Sequence, residues 1–257
     1  MTSGAQLNVS VWGKGEPAVF VHGSFGWGHE TWREQRPLGD TYRLLLVDRR
    51  GFGGSAPNGR VDFERDAADV AGLIDERTHL VGHSYGGVVA LLAAARRPRA
   101  IRSLTVIEPP ALGLARGNSA VEALTAEIRS ASTAAFDPSD YRARFLRAFG
   151  FHPERVRLKG LELEAARSSM TERPPWEAQI PLATLAGTGI PTLVVRGDWS
   201  AAPTSARERG GAAFHAVCDE LESRLGAERA VFRSAHNPQL LGTPFNERLR
   251  RFWETAG

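Results

Sequence analysis

The stretch Leu80-Val81-Gly82-His83-Ser84-Tyr85-Gly86-Gly87-Val88-Val89-Ala90-Leu91-Leu92 decides how the chain is read. An apolar run of strand type enters a cluster of small residues, and an apolar helical run leaves it. Gly82, Ser84 and Gly86 form G-x-S-x-G between strand and helix, the context in which a serine is held on a sharp, strained turn. Small neighbours are needed because other chain packs close against such a turn. A serine at a helix N-terminus also has backbone N–H groups directed at any oxyanion that forms there. The bland alternative is a glycine-rich turn with an incidental serine, and the flanking pattern outweighs it.

Working outward, short apolar runs alternate with longer helical patterns. Leu7–Trp12, Ala18–His22, Leu44–Asp48, Leu80–His83, Leu104–Glu108, Thr192–Arg196 and Ala230–Arg233 read as strands. Several are wholly apolar, as central parallel strands covered on both faces are. Phe63–Glu76, Tyr85–Arg97, Ser205–Leu225 and Thr243–Trp253 carry helical spacing. This alternation predicts an α/β fold with a doubly wound, mostly parallel sheet. From Pro109 to Gly189 the rhythm changes: helical patterns recur at Ala120–Ser132, Ser139–Phe149 and Glu162–Ser169 without a strand between them. The expected division is a core of residues 1–108 and 190–257, with residues 109–189 as a helical insertion.

Composition narrows the function classes. With 42% hydrophobic and 24% charged residues in 257, the chain has the make-up of a globular protein with a sizeable core. The net charge is only +3. Arg96, Arg97, Arg99 and Arg102 gather at a helix end, where cations oppose the helix dipole. Stacking aromatics do not interleave with them, so a nucleic-acid partner is not expected. Cys218 is the single cysteine, which precludes an intrachain disulfide and fits a reducing compartment. Met1–Gln6 lacks a basic and an apolar signal region, and Val88–Ala95 is too short to span a bilayer. A cytoplasmic location without a membrane partner is the expectation; the oligomeric state is open.

Two further motifs follow apolar strands. His22-Gly23-Ser24-Phe25-Gly26 lies upstream of the serine turn, where the backbone N–H of Ser24, or of Phe25, would pair with that of Tyr85 to form an oxyanion hole. Asp48-Arg49-Arg50-Gly51-Phe52-Gly53-Gly54-Ser55 is glycine-rich, but its spacing fails the dinucleotide pattern. It reads as a tight turn buttressed by a charge pair.

The HG turn, the D-x-R-G-x-G-x-S turn, the G-x-S-x-G turn and a late histidine loop, Ser234-Ala235-His236-Asn237-Pro238, occur in the order of the α/β-hydrolase superfamily. The chain resembles that superfamily over nearly its whole length. The resemblance implies an eight-stranded core, a helical cap inserted after the sixth strand, a Ser–His–acid triad, and neither cofactor nor metal. It assigns the nucleophile to Ser84 and the general base to His236. His152 and His215 read as surface or packing residues, and His83 as pointing away from the serine.

The acid breaks the family pattern. An aspartate is often found three residues after the glycine that ends the seventh strand; in Val195-Arg196-Gly197-Asp198-Trp199-Ser200 that position holds Ser200, which cannot carry the charge that orients the imidazole. Glu108, at the end of the preceding core strand, resembles the acid of certain dehalogenases and is favoured; Asp198 is the alternative. Phe25, Trp27, Trp176 and Trp199 are candidate walls of a substrate pocket, although core packing accounts for each tryptophan equally well. The expected activity is cofactor-independent hydrolysis of a small-molecule ester, thioester or lactone. A lyase, cyclase or C–C bond-cleaving reaction on the same fold, or a ligand binder, are the alternatives.

Overall fold

In the computed structural model, which describes residues 7–57, 59–75, 77–133, 137–154 and 156–256, each expected strand is present. They are β1 (Val9–Trp12), β2 (Glu16–Val21), β3 (Tyr42–Val47), β4 (Thr78–His83), β5 (Ile101–Ile107), β6 (Thr192–Gly197) and β7 (Glu228–Phe232). One sheet results, in the order β1-β3-β2-β4-β5-β6-β7, parallel throughout except where β1 runs against β3. The described residues thus give seven strands where the family resemblance implied eight, with β1 at the antiparallel edge. The helical insertion accordingly follows the fifth strand and not a sixth. Met1–Gln6, where no signal segment is expected, and Glu76, the expected end of a helix, lie outside the described residues.

A single turn, α1 (Gly28–Thr31), follows β2, while α2 (Phe63–Leu73) and α3 (Tyr85–Arg96) flank β4. Between β5 and β6 come α4 (Ser119–Thr133), α5 (Pro138–Ala148), α6 (Gly160–Ser169) and α7 (Leu182–Gly187). The last has only six residues, too few to show helical periodicity in the sequence. Then α8 (Thr204–Ala206) passes through a π-helical stretch, Arg207–Gly211, into α9 (Ala212–Leu225), and α10 (Thr243–Thr255) follows β7. Among the described residues no helix is long and apolar enough to cross a membrane.

The period of two along each strand divides the core. Val19, Val21, Leu80, Val106 and Val194 face one layer with α2, α3, α9 and the insertion. Phe20, Leu46, Val81, Ile107 and Leu193 face the other, with Trp32 and the α10 residues Phe252 and Trp253. All six residues of β4 are buried, the polar Thr78, His79 and His83 included, as befits a central strand covered on both faces.

The turn from β4 into α3 is held by backbone contact. Ser84 has φ 52° and donates its N–H to Ile107 O on β5 at 2.9 Å. A Cβ on Gly86 would stand 2.3 Å from Val21 O, and one on Gly82 would stand 2.3 Å from Gly86 O. Neither neighbour is a side chain that can swing aside. Gly86→Ala is therefore expected to cost at least about 2 kcal/mol of stability. Gly72→Ala, on the exposed face of α2 with nothing within 4 Å of the new methyl, should gain about 0.5–1 kcal/mol. Urea unfolding of the two variants checks the pair; equal midpoints would refute the close-approach account.

Candidate active site

The C-terminal ends of four neighbouring strands, β2, β4, β5 and β6, carry strained residues. Phe25 (φ 62°), Ser84 (φ 52°), Glu108 (φ 41°) and Trp199 (φ 56°) follow them in turn, and Arg77 is the only other described non-glycine residue with positive φ. Such conformations cost about 1–3 kcal/mol each and persist where surroundings over-determine them. They gather along the sheet edge where open α/β folds form their clefts.

Three of these turns and the loop after β7 meet in one hydrogen-bonded chain. His236 Nε2 lies 2.9 Å from Ser84 Oγ, and His236 Nδ1 lies 2.8 Å from Glu108 Oε2. The other carboxylate oxygen, Oε1, accepts the Gly197 N–H and the Trp199 indole N–H, both at 2.8 Å. Glu108 is wholly buried, and burial raises its carboxyl to about 8 against the opposing pull of those two donors. Burial also holds His236 below its ordinary value, so the imidazole is neutral. Its ring stacks on Phe214, with centroids 4.4 Å apart. His83 does not simply point away: its Nε2 donates to His236 O at 2.9 Å and so holds His236 from behind. A histidine immediately before the serine was the available signal for this contact, but only the loop's return makes it.

Asp198 stands apart from the chain. Its carboxylate accepts from the N–H (3.0 Å) and hydroxyl of Ser200, closing its own turn. Trp199 is fully buried behind the relay and does not line the cleft. Trp27 packs with Phe52, Val61 and Ala165 in a small separate cluster, because α1 turns it away from the serine. Phe25 and Trp176 do border the hollows around Ser84.

A buried ionic network missed by the sequence reading joins the insertion to the core. Arg49 lies between the rings of Phe52 and Tyr85, 4.4 and 4.5 Å from their centroids. It pairs with Asp66 at 3.0 Å, as a charge-buttressed turn requires, and also with Glu172 of the insertion at 2.6 Å. The second Glu172 oxygen accepts from Ser24 Oγ at 2.5 Å. Beside it, Ser169 Oγ takes the Phe25 N–H at 2.9 Å, leaving Ser24 as the better of the two candidate oxyanion donors. Among the described residues no group of three or more His, Cys, Asp or Glu side chains is arranged to hold a metal ion.

Residues 18–246 match the alpha/beta hydrolase family, and the chain belongs to that family. A pimeloyl-(acyl-carrier protein) methyl ester esterase from Methylococcus capsulatus is 34% identical over 185 residues, covering 70% of this chain and 69% of that protein. Its counterpart from Aeromonas hydrophila is 34% identical over 113 residues, 43% of this chain and only 44% of its own length. A thermophilic esterase from Thermogutta terrifontis shares the fold, with a TM-score of 0.70 at 23% identity over 97% of this chain and 93% of that one.

Removing one partner of a buried ionic network strands the others. Arg49→Met should therefore destabilise the protein by about 3–5 kcal/mol. Arg33→Met, at an exposed pair with Glu30, should change stability by less than about 1 kcal/mol. Urea unfolding distinguishes them, and similar midpoints would show that the network contributes nothing.

Proposed function

We propose that the chain is a serine hydrolase that cleaves a small-molecule ester, thioester or lactone through an acyl-enzyme. The relay Ser84 Oγ–His236 Nε2 and His236 Nδ1–Glu108 Oε2, at 2.9 and 2.8 Å, carries this reading. His236 takes the Ser84 proton as Oγ attacks the carbonyl carbon, and Glu108 steadies the imidazolium that forms. Backbone N–H groups of Tyr85 and Ser24 receive the oxyanion. As the tetrahedral intermediate collapses, the bond to the leaving oxygen (sulfur in a thioester) breaks and that atom takes the proton from His236. Water, deprotonated by the same imidazole, then releases the acid and restores Ser84. These steps need no cofactor, since the chain supplies nucleophile, base and acid. Residues 109–189 act as a cap over the site. The esterases among its relatives support hydrolysis of an ester in general terms.

Fluorophosphonate labelling with peptide mapping is the direct test. An adduct on Ser84, absent in Ser84→Ala, is expected. Glu108→Gln should lower kcat on an activated ester by about 10⁴-fold, while Asp198→Asn leaves it within a few-fold. Absence of both adduct and turnover would refute the hydrolase and favour a ligand binder.

The pH profile follows from the buried acid. While Glu108 keeps its own proton, it donates to Nδ1, and the neutral ring must then carry hydrogen on Nε2. That tautomer cannot accept from Ser84. Ionisation through about 8 reverses it, so kcat/KM should climb with pH and level off above that value. A profile already flat at pH 6 would contradict this account.

A further inference from the structure

Ser84 lies where two unlike hollows meet. One is enclosed, about 60 Å³ in volume, and bounded by Ile128, Phe149, Trp176, Phe214 and Glu172. The other is an open groove of about 300 Å³ that includes His236, Asn237, Arg33 and Arg142. Ser24, Ser84 and Phe145 border both.

The position of the base assigns the two halves of an ester. His236 Nε2 must hand its proton to the leaving oxygen, so the leaving group has to lie on the side of His236. That side is the groove. The acyl chain is then directed across Ser84 into the enclosed hollow, whose lining does not include His236. Volume sets its length: a buried apolar cavity of about 150 Å³ accommodates benzene, with six carbons. By proportion the 60 Å³ hollow holds two or three carbons beyond the carbonyl. Both oxygens of Glu172 are engaged there by Arg49 and Ser24, and the lining holds no lysine or arginine, so a carboxylate at the acyl end would be buried without a cationic partner.

Building on the hydrolase reading above, we infer that the substrate is an ester of a short, uncharged acyl group, about three or four carbons long counting the carbonyl, with a larger alcohol occupying the groove. Residues Ile128 and Trp176 set the acyl limit. The bond that breaks joins the acyl carbon to the alcohol oxygen; the alcohol departs with the proton from His236, and water supplies the hydroxyl of the released acid.

The test is a series of p-nitrophenyl esters, from acetate through butyrate to octanoate, with wild type, Ile128→Ala and Trp176→Ala. In wild type, kcat/KM should fall by about tenfold or more between butyrate and octanoate, as forced overpacking implies. Either variant should raise the octanoate-to-butyrate ratio about tenfold, mainly through KM. The ratio cancels any loss of folded protein, and circular dichroism reports that loss separately. Octanoate turned over by wild type as well as butyrate would overturn the acyl assignment while leaving the serine hydrolase standing. An unchanged ratio in both variants would overturn it too. Failure of every ester, with Ser84 unlabelled by fluorophosphonate, would refute the hydrolase reading and this inference together.

Discussion

A carboxylate without solvent is the constraint around which this sheet edge is built. Glu108 sits at the end of β5 with no exposed surface, and an isolated charge there would be very costly. Its oxygens instead meet the Gly197 N–H at the end of β6, the Trp199 indole and His236 from the loop after β7. Three successive segments are thereby brought into register on one side chain. Trp199 in turn needs room: a Cβ on Gly211 would approach its Cγ to 2.9 Å, and one on Gly210 would meet its ring at 3.2 Å. The π-helical stretch Arg207–Gly211 is thus shaped against an indole whose own task is to donate to Glu108.

The insertion is fastened at the same edge, through a short segment. Ser168 Oγ donates to Gly51 O, Ser169 Oγ accepts from Phe25, and Glu172 accepts from Arg49 and Ser24. Arg173 N–H then donates to Val61 O at 2.8 Å, and its carbonyl accepts from Tyr85 OH at 3.2 Å. The turn after β2 is consequently shaped from two sides, by its own strand and by the chain that closes over it. A buried ionic network adds little net stability over apolar packing, but it tolerates few alternative arrangements. Here Glu172, through Arg49 and Ser24, ties the insertion to the core.

The strands, the serine turn and the helices around it are legible in the chain because their causes are local. Strand alternation places Val19 and Phe20 on opposite faces without knowledge of anything distant. Gly82 and Gly86 announce close backbone approach within a few residues of Ser84. The break in the family pattern is equally local, Ser200 where an aspartate would be expected. The sequence leaves Trp27 and Trp199 open between pocket wall and core, because an aromatic beside such a turn looks the same whether it faces the cleft or the core. Only the direction of α1 and the groove at Gly210–Gly211 separate the cases.

The chain by itself determined the layered α/β architecture, the serine turn and the pair of carboxylates from which an acid could come. Tertiary structure brings one of them, Glu108, to His236. Glu108 and His236 are 128 residues apart, and their 2.8 Å contact exists only because β5, β6 and β7 lie side by side. It likewise decided that His83 braces His236, that Glu172 reaches Arg49 across 123 residues, and that Ser84 opens onto one small hollow and one large groove. Periodicity and turn chemistry act over a few residues and can be read in order along a sequence. Hydrogen bonds between loops and the volume between packed side chains depend on which distant segments share an edge of the sheet.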